Sequence, residues 1–238
     1  MIRTIQLGEI SADVIQKDIK NIHLSVYPPT GAVRISAPMR MDLDTIRVFA
    51  LSKLGWTRKQ QTIFREQDRE TPREYLDRES HYLWGNRYLL KIVENDSTPL
   101  VSLEHSEMVL QVRPGADSTR RHSILDRWYR QQLREASSPL IANWEEQLNV
   151  SAARFIIQKM KTKWGSCSQA SQTIRLNLEL AKKPPECLEY VIVHELAHLI
   201  EPTHNIRFIG LMNQFLPKWK FYREELNRLP VKHEEWTY

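Results

Sequence analysis

The sequence predicts an α+β protein, with a β-rich N-terminal half followed by a half organised around one buried helix. Three observations carry this. Short apolar runs of period two, separated by turn signals, recur before residue 117. A long helical pattern begins just after the turn-rich stretch Pro114–Thr119. Between Tyr190 and His204 an apolar helix carries the pattern H-E-x-x-H, as His194, Glu195 and His198. The expected organisation is therefore a β-rich region over 1–117 and a second domain over 118–238.

In the first half, Glu9–Lys17 is a short strand candidate. Asn21–Tyr27 alternates, with Ile22, Leu24 and Val26 on one side and His23 on the solvated side. Pro28-Pro29-Thr30-Gly31 signals a turn, and Ala32–Ser36 is the partner strand. Asp42 to about Phe64 has helical periodicity, with Asp42 or Asp44 as cap and Gly55 as a weak point. Residues 65–79 are highly charged, include Pro72, and suit an exposed connector or a helical extension. His81–Val93 predicts a hairpin turning at Gly85-Asn86, and Leu100–Leu103 with Met108–Val112 a second. Tyr82, Trp84 and Tyr88 suit either a base-stacking platform or the packing of a small sheet, the commoner use.

In the second half, Ser118–Leu148 is helical, with Ile124, Leu125, Trp128, Leu133, Leu140, Ile141, Trp144 and Leu148 as its apolar face. Pro139 is expected to kink or break it. Arg120, Arg121, Arg127, Arg130 and Arg134 recur along it. They suit an anionic groove or, given the glutamates and glutamines among them, a solvated face. Arg154–Lys159 reads as a strand, Lys161–Ser168 as a loop, and Thr173–Leu178 as a strand with Ile174, Leu176 and Leu178 on one face. Pro184 and Pro185 open the metal-binding helix, where proline is tolerated. Ile206–Phe215 and Lys218–Leu229 close the chain as helices.

Composition narrows the function classes. No run approaches the roughly 18 apolar residues of a membrane span, and the N-terminus lacks a signal peptide's apolar region. A cytoplasmic protein with no membrane partner is expected. Two cysteines in 238 residues make no disulfide framework. The net charge of +5 leans modestly toward an anionic partner. With 34 basic residues against 29 acidic and no dense basic block, a solvated surface is the plainer reading.

The chemistry sits at residues 194–204. Side chains four apart on a helix lie nearly above one another, so His194 and His198 can share one Zn²⁺ ion. Glu195 lies beside them, able to take a proton from water without being a ligand. A catalytic zinc site needs a third protein ligand and an open position. His204 is the candidate, because Pro202 disfavours helix at Glu201 and lets the chain turn back. Its spacing from His194 matches the longer H-E-x-x-H-x-x-G-x-x-H pattern, with Glu201 where that pattern has glycine. Among Glu201, Glu224 and Glu225 the sequence does not select a carboxylate to orient a histidine. Tyr190 and Tyr222 are candidate donors to a developing oxyanion.

At this point a family can be named. The run Lys161, Lys163 to Ser168, then Ile174, Leu176 and Asn177, then Pro184-Pro185, then the helix Tyr190–Leu199, then His204 with Phe208 four residues on, resembles the YgjP-like (DUF45) family of metal-dependent hydrolases, in the zincin metallopeptidase group. It is also similar to the SprT-like proteases, which share the H-E-L-A-H helix and a later histidine. The resemblance is strong over 154–229 and weaker before it. It implies a zincin-like metallopeptidase core and a sheet whose edge strand receives an extended peptide. The edge candidate is Ile174–Leu178. Trp164, Gly165, Ser166, Ile174 and Asn177 become candidate substrate contacts. Gly165 suits close backbone approach to a substrate, Trp164 either a substrate wall or a packing anchor, and Cys167 a small hydrophobe or an inhibitory thiolate.

The function expected is a zinc metallopeptidase acting on peptide or protein, with Glu195 as general base. One alternative is a metal-dependent nucleoside triphosphate pyrophosphohydrolase, with Lys161, Lys163 and Arg207 clamping phosphate. The other is a DNA-associated protease or binding module.

Overall fold

Contacts along the chain separate two units, Met1–Asp68 and Arg69–Tyr238. The structure is a computed structural model that describes residues 2–27, 30–66, 73–160 and 163–228. Pro28-Pro29 of the predicted turn, the middle of the charged connector with Pro72, Lys161 and Leu229 lie outside the described residues.

In the first unit four strands form one sheet: β1 (Ile2–Leu7), β2 (Ile10–Lys17), β3 (His23–Tyr27) and β4 (Ala32–Pro38), in the order β1-β2-β4-β3. Alternation puts Ile10, Ala12 and Val14 of β2 and Val33, Ile35 and Ala37 of β4 on one buried face. Ile46 and Ala50 join the same core. His23 is exposed, as expected. The single helix expected over 42–64 is two, α1 (Leu43–Ser52) and α2 (Leu54–Glu66). They part at Lys53, whose N–H turns to the Ala50 carbonyl at 3.1 Å while the Ser52 hydroxyl takes that of Phe49 at 2.7 Å. The last carbonyls of α1 are thereby satisfied without a further helical turn. Asp42 is the cap, accepting from Thr45 N at 2.8 Å.

The second unit begins with β5 (Ser80–Leu83), β6 (Asn86–Glu94), β7 (Leu100–Glu104) and β8 (Glu107–Val112), in the order β5-β6-β8-β7. The β5–β6 turn is centred on Trp84-Gly85, one residue earlier than predicted, with φ of 49° and 80°. Two left-handed residues suit the tight hairpin. Tertiary contacts hold Trp84 there: its N–H donates to the Ala181 carbonyl at 2.9 Å and its ring packs on the core. The hairpin is thus tied to the segment that precedes the helix of His194 and His198. The 117/118 boundary expected from sequence lies inside this unit. Trp84 and Tyr88 both pack against its core.

Helix α3 (Ser118–Leu148) is capped by Asp117 and ends at Asn149, whose φ of 51° is the left-handed conformation common at helix ends. It runs unbroken through Pro139, so the break that was one expected outcome does not occur. Leu133, Ser137, Ile141, Trp144 and Leu148 are buried on both sides of the proline, and packing outweighs its local cost of about 3 kcal/mol. Three of its arginines are engaged within the fold. Arg121 reaches the Tyr75 carbonyl and Glu94, Arg130 donates to the Ile157 carbonyl, and Arg134 lies over the Phe155 ring. Replacing the fully buried Leu133 with alanine is expected to cost about 2–5 kcal/mol, read as a lowered melting temperature.

Strands β9 (Arg154–Gln158), β10 (Gly165–Ser168) and β11 (Thr173–Asn177) form a small sheet in the order β10-β11-β9. This corrects the edge assignment. The 173–177 strand is central, parallel to β9 and antiparallel to β10, and the edges are β9 and β10, the second of which the sequence read as loop. Ile174 and Leu176 are wholly buried, as a strand covered on both edges should be. Leu178 leaves the strand and opens a short 3-10 helix, Leu178–Lys182. Then come α4 (Pro185–Ile200), α5 (Ile206–Phe215) and α6 (Trp219–Arg228). α4 packs against α3, β10, α5 and α6. Among the described residues no helix is long and apolar enough to cross a membrane.

Candidate metal centre

α4 starts on Pro185, whose missing N–H costs nothing in the first turn. It stops at Glu201, extended at φ −131° and ψ 109°, immediately before Pro202. Asn205 then accepts from the N–H groups of Arg207 and Phe208 and starts α5. His204 sits between the two helices. The turn brings His194, His198 and His204 together, with one ligand nitrogen from each within 4.8 Å of the others. The Nε2 atoms of His194 and His204 are 3.0 Å apart.

Phe208 is the floor of this cluster. Its ring centroid lies 5.0 Å from that of His194, 4.7 Å from His198 and 4.8 Å from His204. The ring is 2% exposed, so it fixes all three imidazoles from below. His198 is oriented a second way: its Nδ1–H donates to the Glu201 backbone carbonyl at 3.0 Å. That leaves Nε2 as the free lone pair. The orienting group is thus a main-chain oxygen, whereas the Glu201 carboxylate accepts from Thr203. Neither Glu224 nor Glu225 lines the cleft.

The donor set fits a zinc-type dication. Burial, with the other two histidines and Arg223 adding to it, pushes His194 down to about 3. Burial lowers His198 as well. Both are neutral at neutral pH, which is the form that binds a metal. Three imidazoles leave a tetrahedral ion one open position. Glu195, 6% exposed, is pushed up to about 8 by burial, opposed by the Lys163 ammonium. A dication beside it would pull it back toward the carboxylate.

The cleft over these residues has a volume of about 510 Å³. Trp164, Gly165, Ser166 and Cys167 line one wall, Arg223, Leu226 and Asn227 the other, and Tyr190 lies along α4. Gly165 meets Glu195 itself. A Cβ added there would stand 2.6 Å from Glu195 Oε1 and 2.8 Å from Val191 Cγ1. Trp164 does both things the sequence allowed, lining the cleft and packing on the core. Ile174 and Asn177 are brought elsewhere. Ile174 is core, and the Asn177 carboxamide donates to the carbonyls of Met160 and Lys163 and so shapes the approach to β10. Cys167 is no member of the metal-ligating group, and burial pushes its thiol up to about 11. Tyr222 and Arg207 do not line the cleft. The sequence reading missed the role of Phe208 and the wall position of Arg223. The four-residue step from His204 to Phe208 was the available signal for the first.

Three imidazoles gathered beside a buried carboxylate define the class, a metal-dependent hydrolase. The chain belongs to the YgjP-like family, whose metallopeptidase domain matches residues 20–229. No curated protein matches it. Among solved structures, the metallopeptidase zymogen jannalysin of Methanocaldococcus jannaschii is 24% identical, with a TM-score of 0.34, 37% of this chain covered and 90% of that one. The metallopeptidase zymogen abylysin of Pyrococcus abyssi is also 24% identical, with a TM-score of 0.35 and coverage of 39% and 97%.

The metal site makes a direct prediction. The purified chain should take up one zinc ion, and His198→Ala should lose stoichiometric uptake, measured by elemental analysis after dialysis. Retention of a full equivalent by that variant would remove His198 from the ligand set.

Proposed function

We propose that the protein is a zinc-dependent peptidase in which His194, His198 and His204 hold the ion and Glu195 is the general base. The observation that carries this reading is the convergence of three ligand nitrogens within 4.8 Å beside a carboxylate that is 6% exposed. Bound there, zinc would supply Lewis acidity, polarising a carbonyl and bringing the pKa of water toward about 7. The protein residues do the rest. Phe208 and the Glu201 carbonyl hold the imidazoles in one arrangement. Glu195 takes the proton from the attacking water and delivers it to the departing amine. Tyr190, pushed up to about 12 by burial, keeps its proton at neutral pH and is a candidate donor to the carbonyl oxygen as charge develops. Among the described residues the outer edge of β10 is unpaired in its sheet, and β10 lines the cleft, which suits an extended peptide added by backbone hydrogen bonds.

The test is product detection by mass spectrometry. Zinc-loaded protein is incubated with a mixed panel of peptides and nucleoside triphosphates. Peptide fragments that disappear on chelation, and return with zinc, support the reading. Nucleoside monophosphate and pyrophosphate in place of fragments would replace it with the phosphoanhydride alternative.

A further inference from the structure

The cleft is electrostatically lopsided. Its charged lining residues are Lys163, Arg223 and Glu195. Lys163 lies just before β10 on one wall, and Arg223 lies on α6 on the other. Among the described residues neither makes an ion pair. Arg223 is held instead over the face of Trp219, 5.2 Å from the ring centroid.

Two cations beside a site that takes a dication outnumber the one acidic group of the lining, Glu195, and repel the ion. A cleft with an excess of one sign of charge also focuses its field on whatever enters. An anion from the substrate relieves both. Val191 and Leu226 add apolar surface to the same lining, which suits a charged tip carried on a short carbon stem.

We propose that Lys163 and Arg223 select peptides that carry a carboxylate close to the cleaved bond, making them specificity residues of the peptidase reading on which this inference rests. The carboxylate is supplied by an aspartate or glutamate side chain or by the peptide's own C-terminus. Guanidinium recognition of carboxylate is directional and bidentate, which favours Arg223 as the more selective partner.

The experiment uses the zinc-loaded full chain and a matched peptide series. One position on either side of a cleaved bond is varied among Glu, Gln and Lys, and each peptide is made as C-terminal acid and amide. The expected result is a kcat/KM about 10- to 100-fold higher for the Glu peptide, or for the acid over the amide, falling as salt is raised. Which comparison carries the effect identifies the source of the carboxylate. Arg223→Met and Lys163→Met should shrink that ratio mainly through KM, and Arg223→Glu should turn the preference toward Lys. Equal cleavage of all members, or an unchanged ratio in all three variants, overturns the inference and leaves the peptidase reading standing. Cleavage of none overturns the peptidase reading and the inference with it.

Discussion

Glu195→Gln is expected to lower kcat/KM for peptide hydrolysis by about 10²- to 10⁴-fold, or roughly 3–5 kcal/mol of transition-state stabilisation. The amide has nearly the size and shape of the carboxylate, so packing around α4 should hold. It cannot take a proton from water. Metal uptake should be unchanged, because the nitrogens proposed to hold the ion belong to the three histidines. Stability should not fall, because Glu195 is 6% exposed and burial already opposes its charged form. Paired measurement of zinc content, melting temperature and peptide turnover separates these effects. A variant that keeps zinc and full activity would remove Glu195 from the base role. A variant that loses zinc would make it a structural support of the centre.

Gly165→Ala should damage the same site from the opposite side. The added methyl group would stand 2.6 Å from Glu195 Oε1, 2.8 Å from its Cγ and 2.8 Å from Val191 Cγ1. Either β10 moves off α4 or Glu195 turns away from its position. The first costs about 1–3 kcal/mol of overpacking. The second misplaces the base and costs about 10²-fold in kcat/KM. Glu195→Ala removes two of the three contacts. The stability cost of Gly165→Ala should therefore shrink by about 1 kcal/mol in that background, as a double-mutant cycle reads it. Additive effects in the cycle would show that the methyl group is accommodated elsewhere.

Much of the site was legible in the chain because it depends on local geometry. Helical spacing puts His194 and His198 on one face, and Pro202 ends α4 next to Glu201. The cap, narrowed by sequence to Asp42 or Asp44, and the strand within Asn21–Tyr27, read from the alternation of Ile22, Leu24 and Val26, are equally local. Pro139 marks the limit of that approach. Its local cost is real, but α3 continues because the burial on either side of it is larger.

By itself, the sequence determined the helix that carries His194 and His198, its stop and the histidine just beyond, since each is set within a few residues along the chain. Only the tertiary structure decided which strand is the edge. Pairing between β9 and β11 makes 173–177 central, and no periodicity within a segment records its neighbours. It also decided that Gly165 gives room to Glu195, thirty residues away in sequence, and that Phe208 supports three imidazoles at once. Arg223 took its position on the cleft wall when α6 docked on α4. Side chains far apart in sequence meet only when packing joins their elements, and those meetings turn a metal-binding motif into a shaped cleft.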